Sequence, residues 1–112
     1  MECLFCSMSD GDTEVDMLYR DEDLFVIKDI DPKAAIHLLI IPRRHLAGLA
    51  YASGKMINIL GQMFVVAEEM ARREGVTLTG YRLILNQGTD ARQAIKHLHM
   101  HLLGGNPLGD LG

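Results

Sequence analysis

From residue 97 to residue 103 the chain reads His-Leu-His-Met-His-Leu-Leu, and its first six residues alternate polar with apolar side chains at a period of two. That is the period of a β-strand, in which successive side chains point to opposite faces. The stretch Lys96 to Leu103 therefore predicts a strand that presents three of the chain's five histidines on one face. A strand built only for structure gains nothing from such a row, because each desolvated ring needs a hydrogen-bond partner. Histidine is also the usual acid–base group near neutral pH and a common metal ligand. The segment reads as a site.

Four more extended stretches are expected at Met17 to Arg20, Leu24 to Lys28, His37 to Pro42 and Tyr81 to Asn86, from their β-branched, aromatic and aliphatic content and the breakers between them. One long helix is expected from Ser53, an N-cap residue, to Glu74, with Gly75 as its stop. Met56, Ile59, Leu60, Met63, Ala67 and Met70 follow the 3.6 period and form the stripe that would pack on a sheet. Ile57, Phe64 and Val65 lie off that stripe. A lone small domain has nothing to cover them, and exposed apolar patches commonly mark interfaces, so a homodimer through this helix is expected. The fold class is α+β, with about five mainly antiparallel strands and one long helix packed on the sheet. At 112 residues and 48% hydrophobic content, residues 1–112 are expected to form a single domain.

A net charge of −4 argues against a nucleic-acid polymer as partner, since phosphate neutralisation needs a basic face, but leaves a single nucleotide open. No apolar run reaches the roughly 18 residues of a membrane span, and the N-terminus lacks the marks of a signal peptide, so a cytoplasmic location is expected. Cys3 and Cys6 suit zinc, a redox pair or neither. With no strand before them and no evident helix after them, the redox reading weakens, while zinc needs two further ligands. The loop Gln87 to Ala94 is longer than a hairpin requires, which often signals function. Asn86 offers an amide where it begins, and Gly88 permits a tight path with exposed backbone N–H groups. Asp29 suits a carboxylate that accepts hydrogen bonds from both hydroxyls of a ribose. His37 alone would read as a polar strand end, and the Pro42-Arg43-Arg44-His45 continuation favours function.

The segment Lys96-His97-Leu98-His99-Met100-His101-Leu102-Leu103-Gly104-Gly105 resembles the His-x-His-x-His-x-x signature of the histidine-triad nucleotide hydrolases. Further matches follow in order at Asp29-Ile30, His37-Leu38-Leu39-Ile40-Ile41-Pro42, Asn86-Gln87-Gly88 and Gln93. The resemblance covers nearly the whole chain and is closest to the small bacterial Hint branch of purine nucleoside phosphoramidases. It implies a helix-on-sheet homodimer that binds a purine nucleotide. Under it His99 becomes nucleotidylated and is then released by water, with His101, His37 and Asn86 about the transferring phosphate. The nucleoside would be held by Asp29 with Ile30, Ile27, Leu4 and Phe5, and by Gln93, Ala94 and Ile95.

The resemblance to zinc-bearing members names His45 and His97 as the ligands that join Cys3 and Cys6 around one structural zinc. Two thiolates, two neutral imidazoles and Zn²⁺ sum to zero charge, which makes burial tolerable. One departure stands out. Where the family has Gly-Gly-Gln-Ser this chain has Ala91-Arg92-Gln93-Ala94, so the serine hydroxyl associated with the phosphate and the leaving amine is missing. That leaves two alternatives beside phosphoramidate cleavage: hydrolysis of dinucleoside polyphosphates, or a weakly catalytic nucleotide-binding scaffold.

Overall fold

Five strands, each paired antiparallel, form one sheet in the order β1-β2-β3-β5-β4. They are β1 (Tyr19–Arg20), β2 (Leu24–Lys28), β3 (Ile36–Pro42), β4 (Tyr81–Ile84) and β5 (Met100–Gly104) in this computed structural model, which describes residues 3–110. Two helices complete it, α1 (Leu4–Ser9) and α2 (Lys55–Arg73), with a short 3-10 turn at Leu49–Tyr51. The α+β class and the long helix on an antiparallel sheet are as expected. No helix among the described residues is long and apolar enough to cross a membrane.

The sheet buries both faces, unequally. Leu24, Val26, Leu38, Ile40, Met100 and Leu102 pack against the α2 residues Met56, Ile59, Met63, Val66, Ala67, Met70 and Ala71. Leu60 packs at the margin of this core, while Val66 and Ala71 join it beyond the expected stripe. Ile57, Phe64 and Val65 stand 59%, 58% and 70% exposed, an apolar surface that the described chain leaves uncovered. On the opposite face Phe25, Ile27, Leu39 and Ile41 pack against Phe5 of α1. This second layer is thin, and the histidines lie beside it.

Several boundaries differ from the sequence reading. The long helix starts one residue later than expected: its N-cap is Gly54, with φ 54, and not Ser53. It ends where expected, with Glu74 as cap, Gly75 at φ 74, and the N–H groups of Gly75 and Val76 bonded to the carbonyls of Arg72 and Ala71, the paired-bond stop that glycine permits. The first strand shrinks from Met17–Arg20 to Tyr19–Arg20, although the Leu18 N–H still bonds Val26 O at 2.8 Å. The fourth ends at Ile84 instead of Asn86.

The last strand starts at Met100 instead of Lys96, so His97 and His99 precede it. Its register with β3 stops at Ile40 opposite Met100. Two residues further along β3 stands Pro42, which has no N–H to give, and the Leu98 N–H turns instead to Leu46 O at 2.7 Å. The alternation outlasts the ladder: Leu98 joins Met100 and Leu102 in the α2 core, while the rings of His97 and His99 meet Phe5 on the other side.

Candidate active site and metal cluster

Antiparallel register sets the histidines in place. His101 on β5 lies opposite Leu39 of β3 and Ile84 of β4, and His37 on β3 lies opposite Leu103. The rings of His37 and His101 are 5.1 Å apart at their centroids, and those of His99 and His101 also 5.1 Å. His37, His101 and His99 therefore form a continuous chain of imidazoles across two strands and the segment that leads into β5.

Hydrogen bonds assign the protons along this chain. The Lys33 backbone N–H donates to His37 Nδ1 at 3.0 Å, so a neutral His37 carries its proton on Nε2. That N–H faces His101 Nδ1 at 2.9 Å, with an oxygen of Asp29 at 3.4 Å. His101 Nδ1 is then an acceptor, which leaves the His101 proton on Nε2. His99 runs the other way, because its Nδ1–H donates to the His97 carbonyl at 2.8 Å. The lone pair of His99 is therefore on Nε2. Among the described residues no buried side-chain nitrogen or oxygen lacks a hydrogen-bond partner, and these two Nε2 atoms make no bond within the described chain, so each is open to a ligand. Burial, reinforced by the neighbouring His99 and His37, pushes His101 down to about 4. Burial also lowers His37 and outweighs the opposing pull of Asp29. Both rings are neutral at pH 7.

A cleft of about 700 Å³ opens beside these rings. Asp29, His37 and His101 form one wall, residues 82–86 another, and residues 108–110 close its end, where the Arg82 guanidinium donates to Gly109 O at 2.7 Å. Asp29 reaches the cleft with one oxygen taken by the Asp31 N–H at 2.8 Å. Asn86 lines it too, its amide donating to Ala91 O at 2.9 Å across the loop. Gln93 clamps that loop by accepting from the Gly88 N–H and donating to Ala47 O and Ile95 O. Arg92 adopts φ 62, a left-handed backbone that the family's glycine takes without strain.

The other residues expected around the nucleoside are spread out. Ile30 is fully exposed, beside Asp29 in the chain, and Leu4 is half-exposed. Ala94 is exposed, Ile95 packs against the thin core, and Phe5 and Ile27 are buried within it. The backbone groups of Lys33, Pro42 and His97 and the Gly109 latch carry no sequence signal, because a peptide group is the same at every position.

Cys3, Cys6, His45 and His97 come together, their ligand atoms all within 4.8 Å of one another. His97 Nδ1 lies 3.2 Å from Cys3 Sγ and 3.5 Å from Cys6 Sγ, and His45 Nδ1 lies 3.4 Å from Cys6 Sγ. A tetrahedral ion with sulfur at ~2.3 Å and nitrogen at ~2.0 Å sets sulfur and nitrogen about 3.5 Å apart, so the four side chains fit zinc. The His97 Nε2–H donates to Pro42 O at 2.7 Å, which leaves the Nδ1 lone pair turned to the sulfurs, as a braced metal ligand requires. Burial and the adjacent Cys3 push the Cys6 thiol up to about 11, a cost that a divalent cation removes by stabilising the thiolate. Contrary to the sequence reading, the pair does open a helix: Cys3 caps α1, which contains Cys6, and its sulfur accepts the Cys6 N–H at 3.4 Å.

A helix laid on an antiparallel sheet, with three linked imidazoles of which His37 and His101 line a cleft, is the arrangement of the histidine triad proteins. Residues 11–108 match the HIT domain, and the chain belongs to that family. A purine nucleoside phosphoramidase of Escherichia coli K12 is 37% identical over 98% of this chain and 92% of its own length. A histidine triad protein from Clostridium difficile superposes with a TM-score of 0.93 at 33% identity, covering 100% of this chain and 97% of that one. A zinc-bound histidine triad family protein from Mycobacterium smegmatis superposes with a TM-score of 0.81 at 29% identity, covering 95% and 76%. By kind, then, the chain is a HIT hydrolase with a Cys/His cluster compatible with zinc.

Proposed function

We propose that this chain is a purine nucleoside phosphoramidase acting through a nucleotidyl-histidine. His99 Nε2 attacks the phosphorus of a nucleoside phosphoramidate, the P–N bond breaks as its nitrogen takes a proton from solvent and leaves as the amine, and water then cleaves the P–Nε2 bond to give the nucleoside monophosphate. His97 O holds the Nδ1–H and stabilises the positive charge that grows on the ring. The His101 Nε2–H, backed by His37, donates where negative charge builds on the phosphoryl oxygens, and Asn86 assists. Asp29 takes the ribose hydroxyls. The observation that carries this reading is the opposed proton placement: a lone pair on His99 Nε2 and a proton on His101 Nε2. The similarity to the Escherichia coli enzyme supports the substrate class.

Cys3, Cys6, His45 and His97 would hold one zinc, which supplies no step of the chemistry and ties α1 to β3 and to the triad segment. A second copy of the chain would cover Ile57, Phe64 and Val65 on α2. Ala94, with no hydroxyl to assist a departing amine, favours a second reading, in which the leaving group is the phosphate of a dinucleoside polyphosphate and needs no proton. One assay separates the two: turnover of adenosine phosphoramidate and of a dinucleoside polyphosphate on one preparation, with denaturing mass spectrometry for a nucleotide adduct on His99. Phosphoramidate turnover with that adduct is expected. Turnover of the polyphosphate alone would replace the first reading with the second.

A further inference from the structure

Phe5 sits between the two cysteines in the sequence and is 1% exposed. Its ring meets two imidazoles edge to face, His97 at 5.6 Å and 89° and His99 at 5.1 Å and 67°. The helix that carries it is fixed at both ends. Cys3 caps one end within reach of His97, and Ser9 at the other accepts from Arg43 Nε at 3.0 Å. His99, by contrast, is oriented by one hydrogen bond, to a carbonyl only two residues away. A half-turn of the ring about its Cβ–Cγ axis costs only that one bond, and it puts carbon where the attacking nitrogen should be.

We propose that Phe5 is a positioning residue: its ring, packed edge to face with the His99 imidazole, holds the Nδ1–H on His97 O and keeps Nε2 toward the ligand. The proposal rests on the reading of His99 as the attacking group, and it assigns Phe5 a role other than contact with the base. A residue that touches the base governs binding. One that aims the nucleophile governs the chemical step, where misplacement by ~1 Å can cost about a hundredfold.

The test uses the full chain with Phe5→Leu and Phe5→Met, which keep an apolar side chain and remove the ring. Steady-state kinetics on adenosine phosphoramidate should show kcat reduced roughly 10- to 100-fold with KM within about threefold. The ¹⁵N shifts of the His99 ring should move from those of one Nδ1–H tautomer toward the average of both. A raised KM with unchanged kcat would overturn the proposal and return Phe5 to the base, and unchanged His99 shifts in a folded variant would overturn it as well. The nitrogen shifts are independent of turnover. If the parent hydrolyses no phosphoramidate but the shifts move, positioning stands and the proposed function fails. Should neither variant fold, the parent decides: nuclear Overhauser contacts between the Phe5 and His99 rings with one His99 tautomer support the proposal, and two tautomers in exchange overturn it.

Discussion

Four of the five histidines have their protons assigned by a neighbour, and for three of those rings the neighbour is the backbone: Lys33 N–H for His37, His97 O for His99 and Pro42 O for His97. His99→Ala removes the lone pair and little of the cleft, so turnover should fall at least a thousandfold, about 4 kcal/mol in the barrier, while nucleoside monophosphate still binds by calorimetry. Ala94→Ser should raise phosphoramidate turnover about tenfold, measured as initial rate; no change would leave the missing hydroxyl without consequence. His101 also gives stability a pH dependence. An unfolded histidine titrates near 6.5 and the folded His101 near 4, so between these values the unfolded chain binds a proton that the folded one refuses. Stability is complete above about 6.5 and is lost as pH falls toward 4. Urea unfolding at pH 7 and pH 5 should show this loss in the parent and a smaller one in His101→Asn. The shared face of the three histidines was legible from their spacing, but the proton on each ring was not, because the groups that decide it are peptide units from distant parts of the chain.

At the scale of elements, α2 was legible because nineteen residues hold more than five turns of a periodic pattern, whereas α1, with six residues, holds too few for any pattern to rise above chance. The missed helix altered the reading of the cysteines, since their spacing in sequence suited zinc, a redox pair or neither and gave no sign that one caps a helix. Strand ends were misread for a related reason: residue type sets the faces, while pairing partners such as Pro42 set where the ladder stops. The helix α2 also carries its own prediction. Phe64→Glu puts a charge in the middle of the exposed apolar face and should shift the chain from dimer to monomer in light scattering at micromolar concentration, with helix content by circular dichroism unchanged. A parent that is already a monomer would remove the argument for a partner there.

Across the whole molecule, metal analysis of protein purified without added zinc should give about one equivalent per chain, the number that one closed four-ligand site holds. Replacing Cys3 and Cys6 together with serine should abolish that binding and lower the melting temperature, yet leave measurable turnover, since the cluster braces the site from outside. Loss of turnover with the fold intact would make the metal part of the chemistry. A second group could crowd an ion equally closely: Asp29, His37 and His101 also offer ligand atoms within 4.8 Å of one another. The two clusters nonetheless differ in where their rings hold their protons. Behind His97 stands a peptide oxygen, which draws the ring proton away and presents bare nitrogen to the sulfurs; behind His37 stands a peptide N–H, which drives the proton forward into the place an ion would take. Two ordinary peptide groups of opposite polarity thus make one cluster present an acceptor and the other a donor within a chain of 112 residues.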